Sequence, residues 1–175
     1  MHKNMATAIE KVFSIPKANK IVIVGVGNIM RRDDGLGPVL VNMIKDKTDA
    51  VCIDAAGNLE NCLGVIIKHN PDRIIFVDAL HMEKTAGDYE ILQKQDILKR
   101  GFTTRNMSPA TVIECLEKQT KADIYLLGIQ PQNIFFGEEL SSGVKRTLKE
   151  LSGAIIKILN GKIVAKLSNR VYNKA

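Results

Sequence analysis

An apolar strand that runs into a loop of glycines and paired acids is the feature that most constrains this chain. Residues 21–24 are Ile-Val-Ile-Val, an unbroken run typical of a strand buried on both faces of a parallel sheet. Residues 25–28, Gly-Val-Gly-Asn, then favour a tight turn. Asp33 and Asp34 follow, before an apolar helical pattern that is established by Val39. The sequence therefore places two carboxylates at the carboxyl end of a strand, where open α/β sheets form their sites.

Three interpretations of this loop are open at the level of single residues. A nucleotide-binding turn begins with Gly-x-Gly, but Met30 stands where that motif needs its third glycine, and two acids near a helix start would repel a pyrophosphate. Helix capping explains one of Asp33 and Asp34 but does not require both. The third interpretation is a cation site in which one of these carboxylates points into a cleft.

Length and composition predict a single cytoplasmic domain with a hydrophobic core. Of the 175 residues, 45% are hydrophobic and 25% are charged, which is an ordinary globular balance. No apolar run approaches the ~20 residues that span a bilayer, and residues 1–20 lack the apolar stretch of a secretory signal. Membrane association is therefore not expected. The cysteines have no close pairing, and we expect reduced thiols at Cys52, Cys62 and Cys115.

The net charge of +6 does not predict nucleic-acid binding, because the positive charge lies at the two ends of the chain. Residues 1–20 contain four lysines and one acid, and residues 161–175 contain four basic residues and no acid. The body between them is close to neutral, and basic ends of this kind are typical of solvated tails. We predict a helical N-terminal extension over 1–20, one α/β domain over 21–160 and a basic tail over 161–175.

Strand and helix patterns alternate along the domain. Strands are predicted at 21–24, 50–53, 73–79, 88–92 (an edge strand) and 123–129; helices at 5–13, from about 39, 58–68, 109–119 with Ser108 as its N-cap, and 140–159; and mostly loop at 96–109. This order predicts a three-layer α/β sandwich, with a twisted, mostly parallel sheet of about five strands and helices on both faces. Because crossovers are right-handed, Asp34 and Asp78 are expected at one edge of the sheet.

The expected pair of acids has a chemical consequence. Two carboxylates that share a cleft repel each other unless a cation or a proton joins them. A metal site and an aspartic dyad that shares one proton both satisfy this requirement. Residue chemistry alone leaves the two open.

Residues 25–38 read G-x-G-N-x-x-x-x-D-D-G-x-G-P, which resembles the opening signature of the hydrogenase maturation endopeptidases. Residues 75–79, 87–91 and 128–131 resemble later motifs of the same family, so the resemblance covers the chain from Ile21 to about Leu159. It implies a cytoplasmic, metal-dependent endopeptidase that removes the C-terminal extension from the large subunit of a nickel–iron hydrogenase after nickel insertion. The partner is then the large-subunit precursor.

The same resemblance implies the site. Asp34 and Asp78 take the positions of carboxylates that are catalytic and contact the metal, and the nickel is supplied by the substrate, with no nucleotide. Substrate contacts are expected at Gly27, Asn28 and Gly35, since glycines let a peptide and a metal approach the backbone closely.

Arg105 departs from the family pattern, because it stands in Thr-Thr-Arg-Asn-Met where the family has a histidine as third ligand. A guanidinium has no lone pair to offer a metal, so Arg105 is expected to pair with Asp34 or Asp78 instead. Three hypotheses follow. The salt bridge holds the resting site closed until nickel-loaded substrate displaces it; or the chain is a non-catalytic relative that binds the nickel-loaded precursor without cleaving it; or His81 supplies the imidazole.

Overall fold

The computed structural model describes residues 3–14, 19–100 and 107–161, with no side-chain description before residue 8. Arg105 and residues 162–175, which form nearly all of the predicted basic tail, lie outside these ranges. The helices and strands of the described ranges are α1 (Lys3–Phe13), β1 (Ile21–Gly25), α2 (Leu36–Ile44), β2 (Val51–Asp54), α3 (Leu59–Lys68), β3 (Arg73–Ala79), β4 (Tyr89–Gln93), α4 (Lys94–Arg100), α5 (Pro109–Gln119), β5 (Asp123–Ile129) and α6 (Ser142–Leu159), with a 3₁₀ turn over Arg32–Gly35.

The strands form one five-stranded sheet in the order β2-β1-β3-β5-β4. β1 pairs in parallel with β2 and β3, and β3 pairs in parallel with β5. β4 is antiparallel to β5 and closes one edge of the sheet. The mostly parallel sheet and the predicted edge strand are confirmed, as is the adjacency of β1 and β3. The carboxyl ends of those two strands therefore lie side by side, on the side of the sheet where parallel strands end.

Helices cover both faces of the sheet, which confirms the three-layer sandwich. Alternate residues of β3 face opposite layers, since Ile75 and Val77 belong to one buried cluster and Ile74 and Phe76 to the other. The first cluster takes its helical residues from α1, α2 and α6. The second cluster takes them from α3, α4 and α5. Burial on both faces is why the central strands read as unbroken apolar runs.

One helix differs from the sequence prediction. The segment predicted as mostly loop contains α4, whose single buried residue, Ile97, gives too little apolar periodicity to be recognised. The predicted N-terminal helix is present as α1, which places Ile9, Val12 and Phe13 in the first core cluster. Across the described residues, no helix combines the length and the hydropathy required to cross a bilayer.

Candidate active site

The loop after β1 is built around close contacts between backbone segments. Gly27 has φ +122°, and a Cβ at this position would overlap the main-chain oxygen of Asp34. A Cβ at Gly35 would lie 2.6 Å from the Cα of Ile29. Both glycines thus allow residues 27–29 to pack directly on the 3₁₀ turn. This packing is a structural reason for the two glycines, and their contact with substrate stays a prediction.

Asp34 is buried within this loop, with 7% of its surface exposed. Its Oδ2 accepts a hydrogen bond from the backbone amide of Asn28 at 3.0 Å. The N-cap of α2 is Gly35, which has no side-chain capping bond, so the predicted capping of this helix by one of the two acids is wrong. Within the described ranges, Oδ1 of Asp34 has no hydrogen bond or ion pair. One carboxylate oxygen is therefore fixed by the loop, and the other is available to a ligand.

Asp33 has a different role, which short-range sequence reasoning did not identify. Its fully buried side chain accepts hydrogen bonds from three backbone amides of the segment between β5 and α6. Oδ2 accepts the amides of Gln132 at 2.8 Å and Asn133 at 3.1 Å, and Oδ1 accepts the amide of Ser141 at 2.6 Å. Ser141 is the N-cap residue of α6, so the carboxylate also lies near the positive end of that helix. Asp33 fixes the loop that borders the site.

Asp78 lies at the carboxyl end of β3, one residue beyond the last register pair that β3 makes with β1. Val77 pairs with Gly25, and the Val77 oxygen accepts the amide of Val26 at 2.8 Å. The side chain of Asp78 is fully buried, and its Oδ1 accepts the amide of Ala79 at 2.8 Å. The 3₁₀ turn packs against β3. Asp78 at the end of β3 and Asp34 in the 3₁₀ turn after β1 therefore lie on the side of the sheet where the carboxyl ends of these adjacent strands meet.

Gln130 organises the chain just after Asp78. Its buried Oε1 accepts the amides of Met82 at 2.6 Å and Lys84 at 3.4 Å. The side chain thus holds the segment that follows β3 against the end of β5. His81 lies in this segment with an exposed side chain. No group of three or more histidine, cysteine, aspartate or glutamate side chains that could hold a metal occurs among the described residues.

Met107 and Ser108 follow the segment that contains Arg105 and lead into α5. The amide of Met107 donates to Oε1 of Glu60, in the first turn of α3, at 3.2 Å. Ser108 caps α5 as predicted, since its side chain accepts the amide of Thr111 at 3.1 Å. Arg105 itself lies outside the described residues, so its pairing with Asp34 or Asp78 stays a prediction.

Comparisons with known proteins agree on one family. A family model described as "HycI: Hydrogenase maturation protease" matches residues 37–158. The chain is 33% identical over 127 residues to the hydrogenase 3 maturation protease of Escherichia coli K12, which covers 71% of this chain and 81% of that protein.

Solved structures of similar proteins share this architecture. The crystal structure of the NiFe hydrogenase maturation protease HycI from Thermococcus kodakarensis KOD1 matches with a TM-score of 0.78 and 30% identity, over 87% of this chain and 99% of that chain. The solution structure of the endopeptidase HycI from Escherichia coli matches with a TM-score of 0.67 and 28% identity, over 77% of this chain and 87% of that chain. From its sequence and its fold, the chain belongs to the hydrogenase maturation protease family.

Proposed function

We propose that this chain is an endopeptidase that removes the C-terminal extension from the large subunit of a nickel–iron hydrogenase after nickel insertion. Membership of the family supports a proteolytic role in hydrogenase maturation. The observation that carries the assignment of the site is the position of two buried acids, Asp78 at the end of β3 and Asp34 in the 3₁₀ turn that follows the adjacent strand β1 and packs against β3. The proposed partner is the large-subunit precursor, and the nickel arrives as part of that substrate.

The donor chemistry of the two acids fits this proposal. Carboxylates are suitable ligands for a divalent cation, and Oδ1 of Asp34 is unoccupied by described hydrogen-bond donors. The bonds from Asn28 to Asp34 and from Ala79 to Asp78 fix one oxygen of each carboxylate. Fixed oxygens reduce the ordering that substrate binding requires. Nickel within the substrate would supply a Lewis acid that polarises the scissile carbonyl or lowers the pKa of an attacking water.

Asn28 is the proposed peptide contact with the clearest geometry. Its backbone amide donates to Asp34, and its side-chain Oδ1 accepts the amide of Met30 at 2.9 Å. The first bond fixes the backbone of Asn28 and the second fixes its side chain, which leaves Nδ2 as a donor at the partly exposed surface beside Asp34. In the proposed complex this amide donates to a carbonyl of the extended substrate, while Gly27 and Gly35 allow the close backbone packing that holds this loop in place beside the peptide.

The test is cleavage of a purified nickel-loaded precursor, followed by intact-mass measurement. We expect the wild-type chain to remove one C-terminal peptide, and Asp34→Asn and Asp78→Asn to abolish this loss of mass while urea unfolding remains cooperative. Asp49→Ala is the matched control. Asp49 is an exposed acid just before β2, at the amino end of that strand, whereas the site lies at the carboxyl ends of β1 and β3. Full processing by either site variant would refute the assignment. Wild-type binding without cleavage would favour the non-catalytic alternative.

Arg105 requires its own experiment, because it stands at the sequence position where the family resemblance places the third ligand. If Arg105 closes the resting site through a salt bridge, Arg105→His lowers the cleavage rate. Arg105→Lys keeps the positive charge, so it cleaves faster than Arg105→His. A histidine variant that gains both nickel binding and cleavage would instead identify the chain as a degenerate relative. Calorimetric titration with Ni²⁺ and the intact-mass assay measure the two properties separately.

A further inference from the structure

A group of apolar side chains is exposed beside the proposed active site. Phe135 and Phe136, in the loop between β5 and α6, are 79% and 78% exposed. Ile29 and Met30, in the loop after β1, are 56% and 39% exposed. Adjacent phenylalanines with this exposure are unfavourable in water unless a partner covers them. We call these four residues the apolar rim.

The two loops that carry the rim are joined through their backbones. Arg31 and Gly137 form an isolated parallel bridge. The amide of Gly137 donates to the Met30 oxygen at 2.9 Å, and the amide of Arg32 donates to the Gly137 oxygen at 2.6 Å. The Arg31 side chain adds a bond from Nε to the Ile134 oxygen at 3.2 Å. The four apolar side chains are therefore presented by one connected surface.

Hydrogen bonds also fix the aromatic loop to the domain. Asp33 accepts the amides of Gln132, Asn133 and Ser141, which lie on both sides of the two phenylalanines. Oδ1 of Asn133 accepts the amide of Phe135 at 2.8 Å. Phe135 and Phe136 are thus exposed on a backbone that is hydrogen-bonded to the protein core. Such preorganisation lowers the ordering cost of binding a partner.

The charges around the rim indicate the chemistry of that partner. Arg31 and Arg32 follow Met30 directly, and neither forms an ion pair with an acid of the described segments. Glu139, further along the aromatic loop, is paired with Lys145 at 3.8 Å. Glu138 is exposed, so the unpaired cations outnumber the unpaired acid. The surface therefore suits an apolar segment that carries a carboxylate.

We propose that the apolar rim is a docking surface for the large-subunit precursor, which it contacts through an apolar, carboxylate-bearing segment separate from the cleaved bond. This inference rests on the proposed function. The rim is continuous with the proposed site, because Ile29 follows Asn28, whose amide bonds to Asp34. A symmetric second copy is a poorer occupant, since a two-fold interface would bring the unpaired Arg31 and Arg32 of both copies together.

The test compares a rim variant, Phe135→Ser/Phe136→Ser, with a control variant, Val65→Ser/Leu98→Ser, in cleavage of the nickel-loaded precursor. Val65 and Leu98 are similarly apolar and about half-exposed, and they lie on α3 and α4. We expect the rim variant to raise KM at least about tenfold while kcat changes less than about twofold, because docking residues away from the reacting bond contribute uniform binding energy. The control variant keeps both constants, and Arg31→Glu raises KM in the same direction as the rim variant.

An unchanged KM in the rim variant would overturn the docking proposal and leave the proposed function standing. Two other results would also overturn it. A rim variant that changes only the sedimentation of the free protein would identify a second copy as the occupant, and one that changes only binding to phosphatidylglycerol vesicles would identify a membrane. If the wild type cleaves nothing, the proposed function fails, and surface plasmon resonance with immobilised precursor decides the docking proposal. Weaker precursor binding by the rim variant than by its control would then support it, and equal binding would refute it.

Discussion

Replacing Asp33 with alanine removes one acceptor group that is shared by three backbone amides. The donors are the amides of Gln132, Asn133 and Ser141, at 2.8, 3.1 and 2.6 Å from the carboxylate oxygens. The Asp33 side chain is fully buried, so water does not reach its position in the folded protein. The substitution therefore leaves donors unsatisfied rather than exchanging one partner for another.

The size of the effect follows from these contacts. A hydrogen bond to a charged group contributes about 1.5–3 kcal/mol, so three bonds set an upper range of about 4.5–9 kcal/mol. The loop residue Gln132 is exposed, and its amide can recover a bond to water when the loop relaxes. We therefore expect Asp33→Ala to lower the free energy of unfolding by roughly 3–4 kcal/mol, a large share of the 5–15 kcal/mol typical of a domain.

Urea unfolding followed by far-ultraviolet circular dichroism measures this quantity. Asp33→Asn is the informative second variant, because its one remaining carbonyl oxygen can keep some of the three bonds, so we expect a smaller loss. Asp49→Ala is the surface control and should change the free energy of unfolding by less than about 0.5 kcal/mol. A loss of less than about 1 kcal/mol in Asp33→Ala would refute the reasoning, because the three bonds would then contribute little net stability.

Three further predictions concern separate parts of the molecule. Gly27→Ala should destabilise the protein by at least about 2 kcal/mol in the same urea assay, because of the positive φ and the overlap with the 3₁₀ turn. Partial burial raises the pKa of Glu90, but hydrogen bonds to Lys84 and Arg100 outweigh it and hold that pKa below 4.5. This contribution to stability is complete above pH 4.5 and is lost as pH falls through the lowered pKa, so Glu90→Gln should lose less stability than wild type between about pH 6 and about pH 3.5. Burial raises the pKa of Cys52 to about 11, so iodoacetamide at about pH 8.5 should modify this thiol at least about tenfold more slowly in the native than in the urea-unfolded protein, as measured by peptide mass spectrometry.

The strands and most helices could be predicted because the central strands read as apolar runs and most helices bury residues at helical spacing. β3 and β5 have the predicted bounds, and Ser108 and Pro109 mark the start of α5 through local capping chemistry. The helix α4 could not be predicted, since one buried side chain does not make a periodic pattern. Among the helices, sequence patterns therefore identify those that bury a whole face and miss α4, which buries one residue.

The site was predictable in its placement and only partly in its contacts. Asp34 and Asp78 were expected at one edge because β1 and β3 were expected to be neighbours, and the observed register confirms that adjacency. The bonds of Asp33 join residues that are 99 to 108 positions apart, and no local pattern indicates them. The role of the two acids in catalysis, and that of Arg105, stays a prediction.

The way in which Asp33 holds the aromatic loop has a consequence for engineering. All three bonds end on backbone amides, so the anchor does not depend on which side chains the loop carries. Ile134, Phe135, Phe136 and Glu138 lie between the anchored positions and can be exchanged without removing an acceptor or a donor of this network, whereas Gly137 has φ +144° and has to be kept. Under the docking proposal, swapping these four positions between related proteases redirects one of them toward a different precursor, with Asp34 and Asp78 left as they are.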